Sequence, residues 1–331
     1  MKRLTPKLGR LLPYAGPATV LIAVWIAVVI STPSLRGESG GYVIALNFEL
    51  VGLVAVGVAI TMVAGELDLS VGSMAAVGGV VAIKVSNAGL VPAVLAATLA
   101  GTLVGTLQGY LIARLKINSL VFTIGTLIVL RGVAYVIARN EPLPLSNFGA
   151  ADILLQRWWF LTAGSIVALA VFVVLGVFMS STRFGREVRA LGGGRTDAEA
   201  AGVRTDRAIV LAFAISATCA GLAGGLASFK DGSAVPWAYP DLLLSGVAAA
   251  LIGGIALAGG RGTVWNVAIG VAILGLLSGA LTAHGAQDSL SQLFTGALLL
   301  IIATAELGGR RLRARRLMRD RSFGLAAEPD A

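Results

Sequence analysis

The sequence has almost none of the residues that staple small domains or carry out acid–base chemistry. It contains one cysteine, Cys219, and one histidine, His284, in 331 residues. A lone cysteine excludes an intramolecular disulfide and any cysteine metal cluster. A lone histidine argues against a histidine metal site or a histidine-based triad. Charge is scarce as well: 13% of residues are charged, against roughly 25% in a soluble domain. None of the five lysines follows a glycine, so the phosphate-loop pattern G-x-x-x-x-G-K-[ST] is absent. No such ATPase is expected in this chain, and active transport would draw its energy from another chain or from an ion gradient. No small-x-small cleavage site follows the first apolar run, about Pro17–Ile30, which is therefore expected to persist as a span.

What fills the chain instead is apolar. Hydrophobic residues make up 56% of it and the mean hydropathy is +0.87. Long apolar runs recur from Tyr14 to Leu307, and a bilayer-spanning helix needs roughly 20 such residues. A β-barrel would show short alternating segments instead. The expected fold is all-α, a polytopic membrane protein with about ten transmembrane helices. The expected spans are Tyr14–Ile30, Val43–Ala64, Ser70–Val85, Leu90–Ala113, Ser119–Ala138, Phe160–Met179, Ala208–Phe229, Leu242–Leu257, Val264–Leu281 and Leu290–Ala305. The third and eighth are short for a bilayer and are expected to be tilted, broken or sheltered by protein.

Basic residues test that count. With a cytoplasmic N-terminus, twenty of the 26 lysines and arginines fall inside, including the six arginines after span six and the seven of the tail. Arg36, Lys84, Arg139, Arg157 and Lys230 fall outside, and Arg131 lies within span five. This asymmetry supports an even number of spans with both termini inside. The net charge of +9 then reflects anchoring beside anionic lipid, and no nucleic-acid partner is expected.

Two carboxylates, Glu66 and Asp68, interrupt this oil in "GELDLSVGS", and the stretch has an echo. "ELDLSVGSMAAVGGV" (Glu66–Val80) aligns without gaps to "DLLLSGVAAALIGGI" (Asp241–Ile255), with Ser70 matching Ser245, Gly78 and Gly79 matching Gly253 and Gly254, and Glu66 facing Asp241. "GTLVGTLQG" (Gly101–Gly109) resembles "GTVWNVAIG" (Gly262–Gly270). Span three would start inside and span eight outside, so an inverted internal repeat is expected, as in many transporters. Shared small-residue composition is the plainer alternative, because Gly and Ala let membrane helices pack closely.

The longest polar stretch between spans is "SSTRFGREVRALGGGRTDAEAAGVRTDR" (Ser180–Arg207). Gly192–Gly194 are expected to break a helix. "RTDAEAAG" then reads as a short helix that Thr196 or Asp197 caps and Gly202 ends. Ala198, Ala200 and Ala201 keep it slim. Two readings stand: a rigid helix that docks into a groove on a partner, or an amphipathic connector on the membrane surface.

Four ordered motifs together resemble one family. "GELDLSVGSMAAVGG" resembles the G-x-[IL]-D-L-S-V-G-S signature of ribose-type, simple-sugar permease subunits of bacterial ATP-binding-cassette importers. "NSLVFTIGTLIVLRGVAYV" (Asn118–Val136) resembles the family's F-x-x-T-L-G-x-x-x-x-x-R-G segment, with Leu120 in place of Phe and Ile124 in place of Leu. "GREVRALGGGRTDAEAAGVRTDR" resembles its cytoplasmic loop, with Gly194 in place of Asn and Asp197 in place of the first paired alanine. "GGIALAGGRGTVWNVAIG" resembles its G-G-x-x-x-x-G-G-x-G-[TS] segment. The likeness runs from about Val43 to Leu307. It implies a cytoplasmic N-terminal segment (1–13), a transmembrane permease domain (14–307) with a coupling loop at about 183–207, and a basic cytoplasmic tail (308–331), in the bacterial inner membrane. It also implies partners: a second permease subunit, identical or not; cytoplasmic ATP-binding subunits; an extracytoplasmic sugar-binding protein; and membrane lipid. This chain would bind no cofactor itself, ATP and magnesium belonging to the ATPase subunits. Residues Arg195, Thr196, Asp197, Ala198, Glu199, Ala200, Ala201, Gly202 and Val203 would form the coupling helix.

Single residues can be weighed against that frame. Asp68 is placed to cap span three near Ser70 and Val71, where the helix dipole favours its charge. Contact with passing sugar is the alternative, since carboxylates accept hydroxyl hydrogen bonds. Glu66 is expected to pair with a basic residue of the inner loops or to face cytoplasmic water. Arg131 must find a carboxylate, carbonyls or water. Thr123 and Thr126 either line a pathway or bond their own helix backbone. Trp158, Trp159 and Trp237 fall at the expected outer interface. A second function stands beside the first: an ion-coupled secondary transporter with Glu66 and Asp68 as proton or sodium sites. Within the importers, nucleosides or branched-chain amino acids are the alternative cargo. No matched nucleophile and base supports an intramembrane enzyme.

Overall fold

The computed structural model describes residues 6–287, 289–301 and 304. Helices form where the apolar runs lie: α1 (Pro6–Ser31), α2 (Glu38–Val63), α3 (Val71–Lys84), α4 (Leu90–Leu115), α5 (Ser119–Ala138), α6 (Ala163–Ser181), α7 (Arg183–Gly193), α8 (Arg195–Ala200), α9 (Thr205–Lys230), α10 (Leu242–Ile252), α11 (Val264–Ala283) and α12 (Ser289–Ile301). Six of these are long and apolar enough to cross a membrane, namely α2, α4, α5, α6, α9 and α11. The chain is an all-α polytopic membrane protein. The end of the tenth expected span at Ala305, the first residues of the N-terminal segment and the basic tail 308–331 lie outside the described residues.

Each boundary has a local cause. The Asn118 side chain accepts from the Leu120 N–H at 2.9 Å and starts α5. Thr162 and Ser165 form a reciprocal capping box at the start of α6, satisfying N–H groups that the first turn leaves free. Thr263 accepts from the Asn266 N–H at 3.2 Å and starts α11. Two expectations are corrected here. Span eight was expected to run to Leu257, but α10 ends at Ile252. Gly254 turns into a left-handed φ of 93°, and Asn266 Nδ2 donates to the Gly253 carbonyl at 2.8 Å, holding the chain away from a further turn. The three glycines 192–194 do not all break the loop helix. Gly192 and Gly193 stay helical in α7, and the break falls at Gly194, with φ 156°.

Helix α9 is the hub of the bundle, packed along α2, α3 and α4. Hydrocarbon gives helices no hydrophobic reason to associate, so close approach of small residues takes its place. A Cβ at Gly101 or Gly105 of α4 would overlap the carbonyls of Ala217 or Phe213 on α9, and one at Gly224 of α9 would overlap the Ala75 carbonyl of α3. On α2, a Cβ at Gly57 would stand 3.0 Å from the Ser216 backbone.

The order long helix, short helix, long helix, helix occurs twice, as α2–α5 and as α9–α12. The two short helices, α3 and α10, each follow an irregular strap, residues 64–70 and 231–241. Their N-terminal ends come together: the Tyr239 carbonyl lies 3.0 Å from where a Cβ on Gly72 would sit. At the end of the bundle holding the second strap, β1 (Leu143–Pro144) pairs antiparallel with β4 (Ser233–Ala234), and β2 (Arg157–Trp158) makes a hairpin with β3 (Leu161–Thr162). Trp158, Trp159 and Trp237 are exposed there.

Gly224→Val should push α9 off α3 and lower stability by about 3 kcal/mol, the upper range for overpacking a tight contact. Gly125→Ala, where nothing lies within 4 Å of the added carbon, should leave it unchanged. Thermal unfolding of the purified protein in detergent reads both.

Candidate functional site

The first strap begins where α2 runs out. Gly65 takes a left-handed φ of 78°, and the Glu66 N–H returns to the Thr61 carbonyl at 3.0 Å. The chain then re-enters the bundle, carrying Asp68 to complete burial at 0% exposure. Asp68 Oδ1 accepts from the Ser70 N–H at 3.0 Å, the Ser70 hydroxyl at 2.6 Å and Gln108 Nε2 of α4 at 3.2 Å. Its Oδ2 accepts from the Ser216 hydroxyl of α9 at 2.8 Å. Ser216 is eleven residues along α9 from Thr205, about 16 Å of helical rise, so the carboxylate sits deep in the bundle. Hydrogen bonds to a charged group contribute about 1.5–3 kcal/mol each, and four of them offset the cost of burying the charge. Asp68 thus binds Ser70, the residue before α3, without capping a free N–H of the helix's first turn, and ties that start to α4 and α9.

Helix α5 grips the strap from outside. The Ser119 hydroxyl accepts from the Leu67 N–H at 3.3 Å, and Thr123 Oγ1 donates to the Leu67 carbonyl at 3.2 Å. Burial raises the Glu66 carboxyl above its ordinary range, outweighing the lowering by the Ser119 hydroxyl and the charge of Arg195. Thr126 donates to its own helix, at the Phe122 carbonyl 3.0 Å away. Farther along the same helix, Arg131 Nη1 donates to the carbonyls of Pro236 at 2.9 Å and Ala238 at 2.8 Å, both on the second strap. One helix thus holds both straps. At the α10 end of the second strap, Asp241 accepts from Gln292 of α12 at 2.7 Å.

The loop from Arg183 to Arg207 folds as two helices. α7 buries Phe184, Val188 and Leu191 against the bundle. α8 starts at Arg195 directly after Gly194, with no side-chain cap. Neither Thr196 nor Asp197 caps it as expected, because both already lie within its first turn. Gly202, with φ 76°, ends it, as the Val203 N–H closes onto the Ala198 carbonyl at 3.0 Å. Ala198 is buried, whereas Thr196, Asp197, Glu199, Ala200, Ala201 and Gly202 are exposed. Arg195 clamps the turn, bonding Glu199 and Asp206 at 3.2 Å each, and the Thr205 hydroxyl donates to Glu199 at 3.0 Å. The Thr205 hydroxyl first, and Arg195 second, hold the Glu199 carboxyl below its ordinary range. With a depressed folded-state pKa, the clamp is intact at neutral pH and is lost only as pH falls below the usual carboxylate range.

Between the first strap and this loop lies a cavity of about 580 Å³, lined by Glu66, Lys116, Asn118, Ser119, Arg195 and Leu257 among others. The sequence reading missed several members of this polar framework. Gln108 is a lone amide in an apolar run, which is a signal; Ser216 is not, since hydroxyls commonly bond their own helix. Glu49 was also missed, though a carboxylate inside a span is a signal in itself. It is 2% exposed in a π-helical turn of α2 (Phe48–Gly52), bonded to Thr162 at 3.2 Å and paired with Lys230 at 3.5 Å. Among the described residues, no cluster of three His, Cys, Asp or Glu side chains that could hold a metal ion is present.

Asp68→Ala would strand the donors of Ser70, Gln108 and Ser216 in the core, and should cost about 3–5 kcal/mol. Ser216→Ala removes one donor and should cost about 1–2 kcal/mol. Chemical or thermal unfolding in detergent, with yield of folded protein, checks the order.

Comparison with known proteins bears on this framework. The chain is 31% identical over 294 residues to the L-arabinose transport system permease protein AraH of Escherichia coli (strain K12), covering 88% of this chain and 90% of the relative. It is 31% identical over 290 residues to the ribose import permease protein RbsC of Bacillus subtilis (strain 168), covering 86% and 90%. It is 30% identical over 251 residues to the D-allose transport system permease protein AlsC of Escherichia coli (strain K12), covering 75% and 77%. No solved structure matches it significantly. The family model described as branched-chain amino acid transport system / permease component matches residues 42–303, a region that contains both straps, both short helices and the α7–α8 loop, and the chain belongs to that family of transport permeases.

Proposed function

We propose that this chain is the membrane subunit of an ATP-driven importer for a simple sugar of the arabinose, ribose or allose kind. The observation that carries the reading is the near full-length likeness to three permeases named for such sugars. The family description names branched-chain amino acids, which are the second reading for cargo. A binding protein outside delivers the sugar, and two permease subunits form the route. ATPase subunits in the cytoplasm bind ATP and magnesium and drive the cycle through α8. The small exposed face of α8, clamped by Arg195, suits insertion into a groove on such a partner. The basic-residue asymmetry supports a cytoplasmic position for α8, the first strap's foot and both termini.

The ion-coupled alternative is less well supported. A carboxylate that takes up and releases an ion needs an oxygen open to it. Both oxygens of Asp68 are engaged by protein donors at 0% exposure. Glu66 is more open, at the rim of a cavity, but lies beside Arg195, whose charge disfavours a cation there.

Ala200→Arg should abolish sugar uptake and co-purification of the ATPase subunits while leaving membrane insertion normal. Ala200→Ser should retain both. Normal uptake by Ala200→Arg would count against docking through α8. Uptake by this chain alone, collapsed by an uncoupler and indifferent to ATP depletion, would overturn the importer reading itself.

A further inference from the structure

Gly192 occupies the last turn of α7, two residues before the break that leads into α8. A Cβ there would overlap two backbone groups at once, the carbonyl of Val63 and the amide of Gly260. Those two groups are themselves joined: the Gly260 N–H donates to the Val63 oxygen at 2.8 Å. Val63 is the last residue of α2, at the foot of the first strap, and Gly260 lies in the loop that follows α10. A Cβ on Gly259 would stand 2.8 Å from both the Gly192 carbonyl and the Gly65 Cα, and one on Gly65 would stand 3.3 Å from the Gly192 Cα. Three distant parts of the chain thus cross backbone on backbone, with no side chain between them. Gly193, next in sequence, has nothing within 4 Å of its would-be Cβ, so the contact belongs to one glycine and not to glycine-rich composition.

We infer that this crossing of Gly65, Gly192 and Gly259–Gly260 transmits displacement of the coupling helix to both broken helices together. The inference rests on α8 being the docking helix. Contact through side chains can be absorbed by rotamer changes, whereas contact through backbone atoms cannot, and packed elements of this kind shift as units. A push on α8 reaches α7 through the single residue Gly194. From Gly192 it reaches Val63 and the strap leading to α3, and Gly259–Gly260 and the loop leaving α10. The crossing therefore joins the connection that enters α3 to the one that leaves α10, so α3 and α10 move in concert. Arg195 adds an electrostatic link, since it shares the cavity of about 580 Å³ with Glu66 of the first strap.

The test uses the full complex with its ATPase subunits and a reporter at Leu257→Cys, an exposed residue of the loop after α10. Native Cys219 is buried and silent to an impermeant maleimide. Expected is an ATP-dependent change in the labelling rate of the reporter. Gly192→Ala should shrink that change by about tenfold, the upper range for substitutions along a coupling route, with ATP hydrolysis and assembly kept. Gly193→Ala should leave it intact. If Gly192→Ala does not assemble, Gly65→Ala carries the test from the opposite side, with a looser steric contact at 3.3 Å but added strain at its left-handed φ of 78°. An undiminished reporter response in an assembled variant overturns the inference. So does failure of both variants to assemble, which would make the crossing a folding requirement only. Failure of the α8 docking reading shows separately, as ATPase retained by Ala200→Arg whatever happens at Gly192.

Discussion

A helix that stops halfway through an apolar bundle leaves backbone N–H and C=O groups where no water can reach them. Each such group costs several kcal/mol if unpaired, so the protein can break α3 and α10 only by supplying partners from elsewhere in the fold. Much of the polar content of the interior does this. Ser119 and Thr123 take the N–H and carbonyl of Leu67, Asp68 takes the N–H of Ser70, and Arg131 takes the carbonyls of Pro236 and Ala238. Arg131 answers its own problem in the same contacts, since a guanidinium at that depth must itself be satisfied. Helix α5 shows the consequence. It exposes Val121, Ile128, Val129 and Val136 and is buried over little of its length. Packing on α3 and its polar grip on two straps hold it to the rest.

The other constraint is distance. Three long helices, α4, α6 and α11, and both short ones surround α9 and α2, closely enough that a methyl group is too much at several crossings. The membrane offers no gain for merely gathering apolar residues, so proximity itself has to stabilise the bundle through dispersion. This accounts for glycines such as Gly57, Gly101, Gly105 and Gly224 at helix crossings, in a chain where glycine would weaken isolated helices. The same rule, applied where loops rather than helices cross, produces the contact of Gly65, Gly192 and Gly259–Gly260.

Much of this was legible in the sequence. Ten apolar runs and their polar breaks follow from composition, and the shortness of runs three and eight already pointed to broken helices. The tie of Asp68 to Ser70 was legible because it is local, two residues away, though it meets the N–H before α3 and not one of the helix's first turn. Its ties to Gln108 and Ser216 were not, because they span 40 and 148 residues; the lone amide of Gln108 marks a need without naming its partner. The pairing of Leu143 with Ala234 is hidden for the same reason. Arg131 announced a need without naming its partners. The boundary of α10 was misplaced because Ala256 and Leu257 are as apolar as the helix before them, and only Asn266, from the next helix, stops the run. In "GGG" the sequence cannot separate a glycine required by a crossing from one facing open space.

On the importer reading, the position of Asp68 limits what it can do. Its two oxygens hold Ser70 of its own strap and two other segments, α4 and α9, at no exposure to solvent, so a sugar hydroxyl would have to displace a partner already made. A sugar hydroxyl is a donor of the same neutral kind as those of Ser70 and Ser216, so the exchange would replace one such bond with another and gain nothing. On this reading the carboxylate serves transport by holding the strap before α3 against α4 and α9. Because α5 holds both straps and the glycine crossing joins the foot of the first strap to the loop after α10, the shape it fixes is shared by both halves. Alternating exposure of such a unit calls for movement of braced bodies against one another, and the energy to drive it enters where the brace meets α7 and α8.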